Sequence, residues 1–299
     1  MKRFLSLLLI LFCIFGVTFL CIYGYYYKNV SDMSFGAFLR SAVPTVREPD
    51  DGLYFYSEKV LQGNEKAERG EYAAAILDFD AAIVANPKDA VAYFYRGQAK
   101  FHQDRFFTAI SDFHTAIRLN PDYSEAYYYR GLSHRNLNQM NDAIEDYSHA
   151  IRMDPKHAFA YYHRGRAYVH RDSIGDTKKA MSDFGACIKL DPEFVNAYLS
   201  RGKLRENEYR LHYADKIDPS VLADYNTAIR LAPDNAIAYY YRGMYREWVV
   251  GEWQLEATED IQTALKLAEQ AGDVALKKEI EAAVELRTEL RKEFKRFQR

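Results

Sequence analysis

Two charged residue types recur along the sequence at nearly constant spacing. An arginine precedes each of five glycines, and an aspartate precedes a large apolar residue in the segment that follows. Guanidinium and carboxylate groups form strong, often bidentate hydrogen bonds, so we predict a structural ladder of pairs between neighbouring helices. An arginine row left open for an acidic ligand is the alternative. The ladder residues are Arg96, Arg130, Arg164, Arg201 and Arg242 with Asp78, Asp112, Asp146, Asp183, Asp224 and Asp260.

Residues that could carry catalysis or bind a metal ion do not fall into a known pattern. His114, His134 and His149 occur in different segments without the spacing of metal ligands. The sequence contains no phosphate-binding Walker lysine loop, no His-Glu-x-x-His, no Cys-x-x-Cys and no Gly-x-Ser-x-Gly. We therefore expect no metal, no cofactor and no enzymatic activity.

The composition points to a folded protein that does not bind nucleic acid. The chain has 299 residues, of which 48% are hydrophobic and 27% charged. Its 40 basic and 42 acidic residues leave a net charge of −2, without the basic excess of a nucleic-acid-binding protein. Three cysteines are too few for a disulfide framework or a four-thiolate metal site.

The N-terminal segment is long and apolar enough to cross a membrane. Lys2 and Arg3 precede 24 uncharged residues, Phe4 to Tyr27, which as a helix would exceed the bilayer core of about 30 Å. We predict an uncleaved transmembrane anchor; a cleaved signal peptide is the alternative. The positive-inside rule then keeps the N-terminus cytoplasmic and exports the remainder of the chain, although an organelle anchor facing the cytosol stays open.

Proline and glycine divide most of the remaining chain into repeats. Five prolines, beginning with Pro87 and ending with Pro233, lie 34, 34, 37 and 41 residues apart, and glycines follow the same period. Periods of this length indicate a solenoid in which each unit has two helices. The longer units predict insertions near Arg171–Thr177 and Arg210–Ser220, the second of which contains Pro219.

Small residues recur at fixed places within each unit. A glycine inside a helix costs about 1 kcal/mol relative to alanine, so glycines in register need a structural reason. We predict close approach of the unit's second helix, which carries alanines and, between them, a large residue. The latter are Phe79, Phe113, Tyr147, Phe184, Tyr225 and Ile261.

These glycine, alanine, aromatic and proline positions resemble the tetratricopeptide repeat family. The resemblance implies an all-α, right-handed α-solenoid of six helix-turn-helix repeats and a C-terminal capping helix, after one N-terminal transmembrane helix. Tyr93, Tyr127 and their equivalents stand where the family has tryptophan. The predicted parts are an anchor at 1–28, a spacer at 29–53, a solenoid at 54–272 with repeats at 56–89, 90–123, 124–157, 158–194, 195–235 and 236–270, and a cap at 273–299.

The first helices carry unusually many aromatic residues. Three consecutive rings, as at Tyr127–Tyr129, spread over about 200° of a helix, which exceeds a buried stripe of roughly 100°. The resemblance implies that first helices line a concave groove, so we predict exposed rings for partner binding; packing between repeats is the alternative. The groove residues are Phe94, Tyr95, Tyr128, Tyr129, Tyr162, His163, Tyr240 and Tyr241.

Some members of this family hold the C-terminal carboxylate of heat-shock chaperones with lysine, asparagine and arginine in the groove. Only Asn64 matches that set here. Val60, Tyr95, Glu125 and Tyr129 occupy the other positions, so chaperone-tail binding is not expected.

The sequence therefore predicts a membrane-tethered scaffold or assembly factor that binds a peptide or helix of a protein partner. The predicted location is a single-pass membrane protein with an extracytoplasmic repeat domain. A chaperone-like holder of export clients and an accessory subunit of an envelope enzyme are alternatives, and self-association is a further option.

Overall fold

The computed structural model describes residues 57–212, 218–250 and 255–297, and within these ranges the chain forms helices joined by short turns, without strands. Within them there are thirteen helices in chain order. They are α1 Glu58–Glu68, α2 Tyr72–Ala85, α3 Ala90–Phe101, α4 Phe106–Leu119, α5 Ser124–Asn136, α6 Met140–Met153, α7 Ala158–Arg171, α8 Asp176–Leu190, α9 Val195–His212, α10 Pro219–Leu231, α11 Ala236–Val250, α12 Leu255–Gln270 and α13 Val274–Phe297.

The predicted anchor and spacer, residues 1–53, lie outside the described residues. Among the residues that are described, no helix combines the length and the apolar character needed to cross a membrane.

Residues 57–211 form one compact unit of four helix pairs followed by α9. Each helix packs against its predecessor and its successor from α1 to α8. The first helices of successive pairs, α1, α3, α5 and α7, also contact one another, whereas successive second helices make at most marginal contact. We call the side on which the first helices meet the inner face.

Residues from 212 onward belong to a second compact unit, in which α10, α11, α12 and α13 pack in sequence. Helix α13 buries Leu276 and Ile280, as expected of a helix that covers the last repeat. Pro219, predicted to lie in an insertion, instead occupies the first turn of α10. Proline is tolerated there because backbone N–H groups in the first turn of a helix have no partner within the helix. Asp218 caps this helix by accepting a hydrogen bond from the Ser220 amide at 2.8 Å.

The turn within each of the first four repeats contains a residue in the left-handed conformation. These residues are Gly70 (φ 77°), Asp104 (φ 58°), Asn138 (φ 61°) and Asp172 (φ 48°), and they are spaced 34 residues apart. Glycine, asparagine and aspartate tolerate positive φ better than other residues. The recurrence of glycine, aspartate or asparagine every 34 residues is therefore a sequence signal for these turns.

The repeated glycines touch the large residue of the second helix. A Cβ atom at Gly131 would lie 2.8 Å from Cε1 of Tyr147, and one at Gly97 would lie 2.7 Å from Cε1 of Phe113. The same contact occurs at Gly63 and Gly165. The predicted close approach is therefore made against the aromatic ring, while the neighbouring alanines are fully buried beside it.

Candidate functional site

Four of the arginines identified in the sequence form bidentate pairs with an aspartate on the second helix of their own repeat. Arg130 donates from Nε and Nη2 to Asp146 at 2.9 and 2.6 Å. Equivalent bonds of 2.6–3.0 Å join the other three pairs. These are Arg96–Asp112, Arg164–Asp183 and Arg242–Asp260.

The third guanidinium nitrogen, Nη1, points to the second helix of the preceding repeat. Arg96 donates to Asp80 at 2.7 Å, Arg164 to the Ser148 hydroxyl at 3.1 Å, and Arg242 to Asn226 at 2.7 Å. In each arginine the guanidinium carbon also lies 5.3–5.6 Å from the centroid of the tyrosine three residues earlier. This row therefore joins helices within and between repeats, which is a structural role.

The regular arginine–aspartate pairing is not repeated in the first repeat, and Arg201 and Asp224 belong to different compact units. Asp78 in the first repeat is paired with Lys59 and Lys66, because glutamine replaces arginine before Gly63. Arg201 lies over the Tyr198 ring at 5.8 Å and belongs to the first unit. Asp224 is buried and belongs to the second.

The aromatic residues predicted to line an exposed groove are mostly inside the protein. Tyr95 is half-buried, but the other seven have exposed fractions of only 4–6%. The predicted exposure is therefore wrong for these seven. They are Phe94, Tyr128, Tyr129, Tyr162, His163, Tyr240 and Tyr241.

These rings are buried because they pack against the residue that leads into the next repeat. The Phe94 ring lies 4.7 Å from that of Tyr123, and the Tyr128 ring lies 4.7 Å from that of His157. The Tyr162 ring makes the same contact with Phe194 at 4.8 Å. Packing between repeats, the alternative left open by the sequence, thus accounts for these contacts.

A group of basic residues lies on the inner face between the third and fourth repeats. Arg135 on α5 donates from Nη1 to Nδ1 of His163 on α7 at 3.0 Å. Arg166, also on α7, is close enough to lower the pKa of both groups. We call Arg135, His163 and Arg166 the basic cluster. Both arginines are half-buried, and His163 is 5% exposed.

Arg135 contributes positive charge to the cluster without a matching carboxylate. Burial, and then the nearby Arg166, lowers the pKa of the Arg135 guanidinium. Burial and the two arginines lower the pKa of His163 well below its usual value, so its imidazole is neutral at pH 7. Within the described residues, no aspartate or glutamate forms an ion pair with Arg135.

Sequence reasoning did not select Arg135 or Arg166. Arg135 occupies the position of Phe101 and Val169 in the adjacent repeats, whereas Arg166 occupies that of Leu132 in the preceding repeat and Lys203 in the following one. A charged residue where both neighbouring repeats are apolar was the signal that could have identified Arg135. Across the described ranges, no group of three or more histidines, cysteines or acidic residues could hold a metal ion.

Comparison with protein families matches three parts of the chain. Three models, each described as tetratricopeptide repeat, match residues 60–110, 124–157 and 160–194. No curated protein sequence matches the chain.

Solved structures with the same helical arrangement share little sequence. MamA is 23% identical with a TM-score of 0.51, over 58% of this chain and 96% of its own. YrrB, described as a tetratricopeptide repeat protein with an unusual peptide-binding site, is 20% identical with a TM-score of 0.53, over 68% and 97%. The C-terminal part of a repeat protein from Cytophaga hutchinsonii is 16% identical with a TM-score of 0.57, over 71% and 80%.

At these identities the structural matches establish the fold alone. The matched segments coincide with helix pairs whose glycines and left-handed turns recur every 34 residues over the first four repeats. The repeats within residues 60–110, 124–157 and 160–194 match the tetratricopeptide repeat family.

Proposed function

We propose that this chain is a membrane-tethered scaffold that binds an extended peptide or a helix of another protein on its inner face. The observation that carries the proposal is the basic cluster. It places two half-buried arginines on the face that successive first helices build together. Charge in such a position suits recognition of a partner better than internal packing.

The remainder of the first unit supports binding rather than catalysis. The interior of each helix pair is filled by alanines and one large ring, and the ladder carboxylates are engaged by arginines. YrrB has the same fold and is described as having a peptide-binding site, which supports the proposal at the level of fold.

Tethering is the second part of the proposal and rests on the apolar segment Phe4–Tyr27. Lys2 and Arg3 favour export of the repeats. Membrane fractionation with carbonate washing, followed by protease treatment of intact spheroplasts, tests both points. Recovery of the chain in the soluble fraction would contradict the anchor, and protection of the repeats from added protease would contradict the orientation.

Site-specific photocrosslinking in intact cells tests the binding surface. A photoreactive amino acid is placed at Tyr95 or at Asn64 on first helices, which leaves the basic cluster intact, and at Phe107 or Leu77 on second helices as controls. The control side chains are 72% and 70% exposed, so accessibility favours them. We expect one discrete adduct from the first-helix positions and none from the controls.

The same experiment can reject the proposal. Adducts from Phe107 and Leu77 alone would assign binding to the second helices. Many unrelated adducts from Tyr95 would instead indicate a chaperone-like holder, and a single adduct of twice the chain mass would indicate self-association.

A further inference from the structure

We propose that the basic cluster of Arg135, His163 and Arg166 binds a side-chain carboxylate of an acidic peptide segment supplied by the partner protein. This inference rests on the proposed function and names the chemistry of its partner. The site lies where α5 meets α7 on the inner face.

The hydrogen bond between Arg135 and His163 fixes the donors that the cluster presents. A guanidinium can only donate, so Nδ1 of His163 must accept the bond from Nη1 of Arg135 at 3.0 Å. The imidazole proton is therefore on Nε2, which makes His163 a donor at its other nitrogen. Nε and Nη2 of Arg135 make no hydrogen bond with the described residues, and they have the fork geometry that binds a carboxylate through two parallel bonds.

A buried hydroxyl adds a further donor. Tyr147 is fully buried, and its Oη has no hydrogen-bond partner among the described residues. Its ring is stacked on that of His163, with centroids 6.1 Å apart and planes at 29°. Burial raises the pKa of the Tyr147 hydroxyl, and Arg135 and Arg166 partly oppose this because their charges are nearby. A buried hydroxyl without a partner is costly unless a ligand supplies an acceptor.

The electrostatics of the cluster favour a single carboxylate. Burial lowers the pKa of Arg135 because its charge has lost water without gaining an anion, and an incoming carboxylate would compensate for that loss. The chain as a whole carries a net charge of −2, which disfavours a polyanion such as nucleic acid.

The site differs from the one by which some family members hold chaperone tails. Val60, Tyr95, Glu125 and Tyr129 occupy those positions here, and none belongs to the basic cluster. We therefore expect an internal aspartate or glutamate to serve as ligand, without need of a free C-terminus.

Selection from a displayed random decapeptide library tests the proposal and does not require the partner to be identified first. The full-length chain in mild detergent is the bait, alongside Arg135→Gln. Arg152→Gln is the matched control, because Arg152 is exposed on α6 of the same repeat and its removal changes net charge equally. We expect the wild-type chain and Arg152→Gln to enrich peptides with an acidic residue at one aligned position. Arg135→Gln should lose this enrichment.

A synthetic peptide from the wild-type selection quantifies the contact by fluorescence polarisation. Replacing its aligned acid by the amide should weaken binding to the wild-type chain about tenfold or more, as expected for a charge-assisted bond. The same replacement should have little effect with Arg135→Gln. Tyr147→Phe keeps the ring but removes the hydroxyl. It should weaken binding of the acidic peptide a few-fold and leave binding of the amide peptide unchanged.

The outcomes separate this inference from the proposed function. Selected peptides without an aligned acid, or equal acid preference in Arg135→Gln, would overturn the carboxylate site and leave peptide binding intact. Failure to select any peptide would overturn both. If Arg152→Gln lost the preference for acidic peptides as fully as Arg135→Gln, the effect would be one of net charge only. That result would overturn the proposed carboxylate site.

Discussion

Two arginines five residues apart on α5 illustrate how the same side chain serves two purposes. Arg130 forms a bidentate pair with Asp146 on the adjacent helix. Burial is the largest single effect and lowers the pKa of Arg130, but the bond and the charge of Asp146, with smaller effects of nearby groups, together raise it. Arg135 meets only the neutral His163, and burial lowers its pKa. Because residue type and helix are the same, the partner on the neighbouring helix decides which arginine stabilises the fold.

The pairing at Arg130 is best described as ionic. Burial raises the pKa of Asp146, and the bond from Arg130 only partly offsets this. If Asp146 were protonated, one of its oxygens would carry a proton and would accept a hydrogen bond less well. In the structure, both oxygens accept hydrogen bonds from Arg130. We therefore treat Asp146 as a carboxylate at neutral pH.

The largest expected effect is the loss of Arg130. Arg130→Ala should lower the free energy of unfolding by about 3 kcal/mol, because Asp146 would remain buried without its counter-ion. Urea denaturation followed by circular dichroism measures this change. Arg152→Ala, on the exposed side of the same repeat, is the control and should be near neutral. Equal stability of the two variants would contradict a structural role for the ladder.

The next effect is a loss of stability in acid that is caused by His157, a half-buried histidine. His157 accepts a bond from the Ala160 amide at 3.4 Å, and burial lowers its pKa to about 4, against a small opposing effect of Asp154. The unfolded chain then binds the proton more readily, so stability is complete above pH 6.5 and falls as the pH drops towards 4. The loss at pH 5 should approach about 2 kcal/mol.

The comparison of wild type with His157→Asn isolates this contribution. Asparagine can accept the same capping bond but does not titrate. Denaturation curves at pH 7.5 and 5.0 should show a smaller loss in the variant, with His163 contributing equally to both chains. Parallel losses would mean that His157 does not set the acid response.

A smaller effect of opposite sign is expected at Arg135. Arg135→Met removes a charge whose pKa is lowered by burial while retaining an unbranched stem. Since the wild-type arginine is half-buried, the free energy of unfolding should be unchanged or up to about 1 kcal/mol higher. A loss similar to that of Arg130→Ala would show that Arg135 is structural, which would remove the distinction between the two residues.

The smallest effect concerns an ion pair at the surface. Arg69 and Glu71 are joined at 2.9 Å, the same distance as the Nε bond of Arg130, but both side chains are about half exposed to water. Glu71→Gln should leave the melting temperature unchanged within error, because solvent screens exposed pairs. A clear shift would mean that geometry, more than burial, sets the strength of these pairs.

The sequence predicted the helix pairs and the ladder because both repeat. A row of arginines in register with a row of aspartates can be recognised without coordinates, since every repeat places them alike. The glycine contacts were predicted for the same reason, although the ring of Tyr147 rather than an alanine proved to be the nearest group.

The binding surface was harder to predict because it depends on how repeats differ. Tyr128 was expected at the surface from its place on the helix, but His157, which leads into the following repeat, covers it. Arg135 has no counterpart in the adjacent repeats, so a search for periodic patterns passes over it. Its environment depends on His163, 28 residues away, and only the packed structure brings the two together.

The backward-reaching Nη1 bonds have a mechanical consequence. Because Arg164 is tied to Asp183 in its own repeat and to Ser148 in the one before, extracting one helix pair disturbs its neighbour. Under tension in a single-molecule stretching experiment, the first unit should therefore rupture in steps longer than one 34-residue length. A scaffold tethered as proposed above would benefit from this resistance to the unfolding of single repeats.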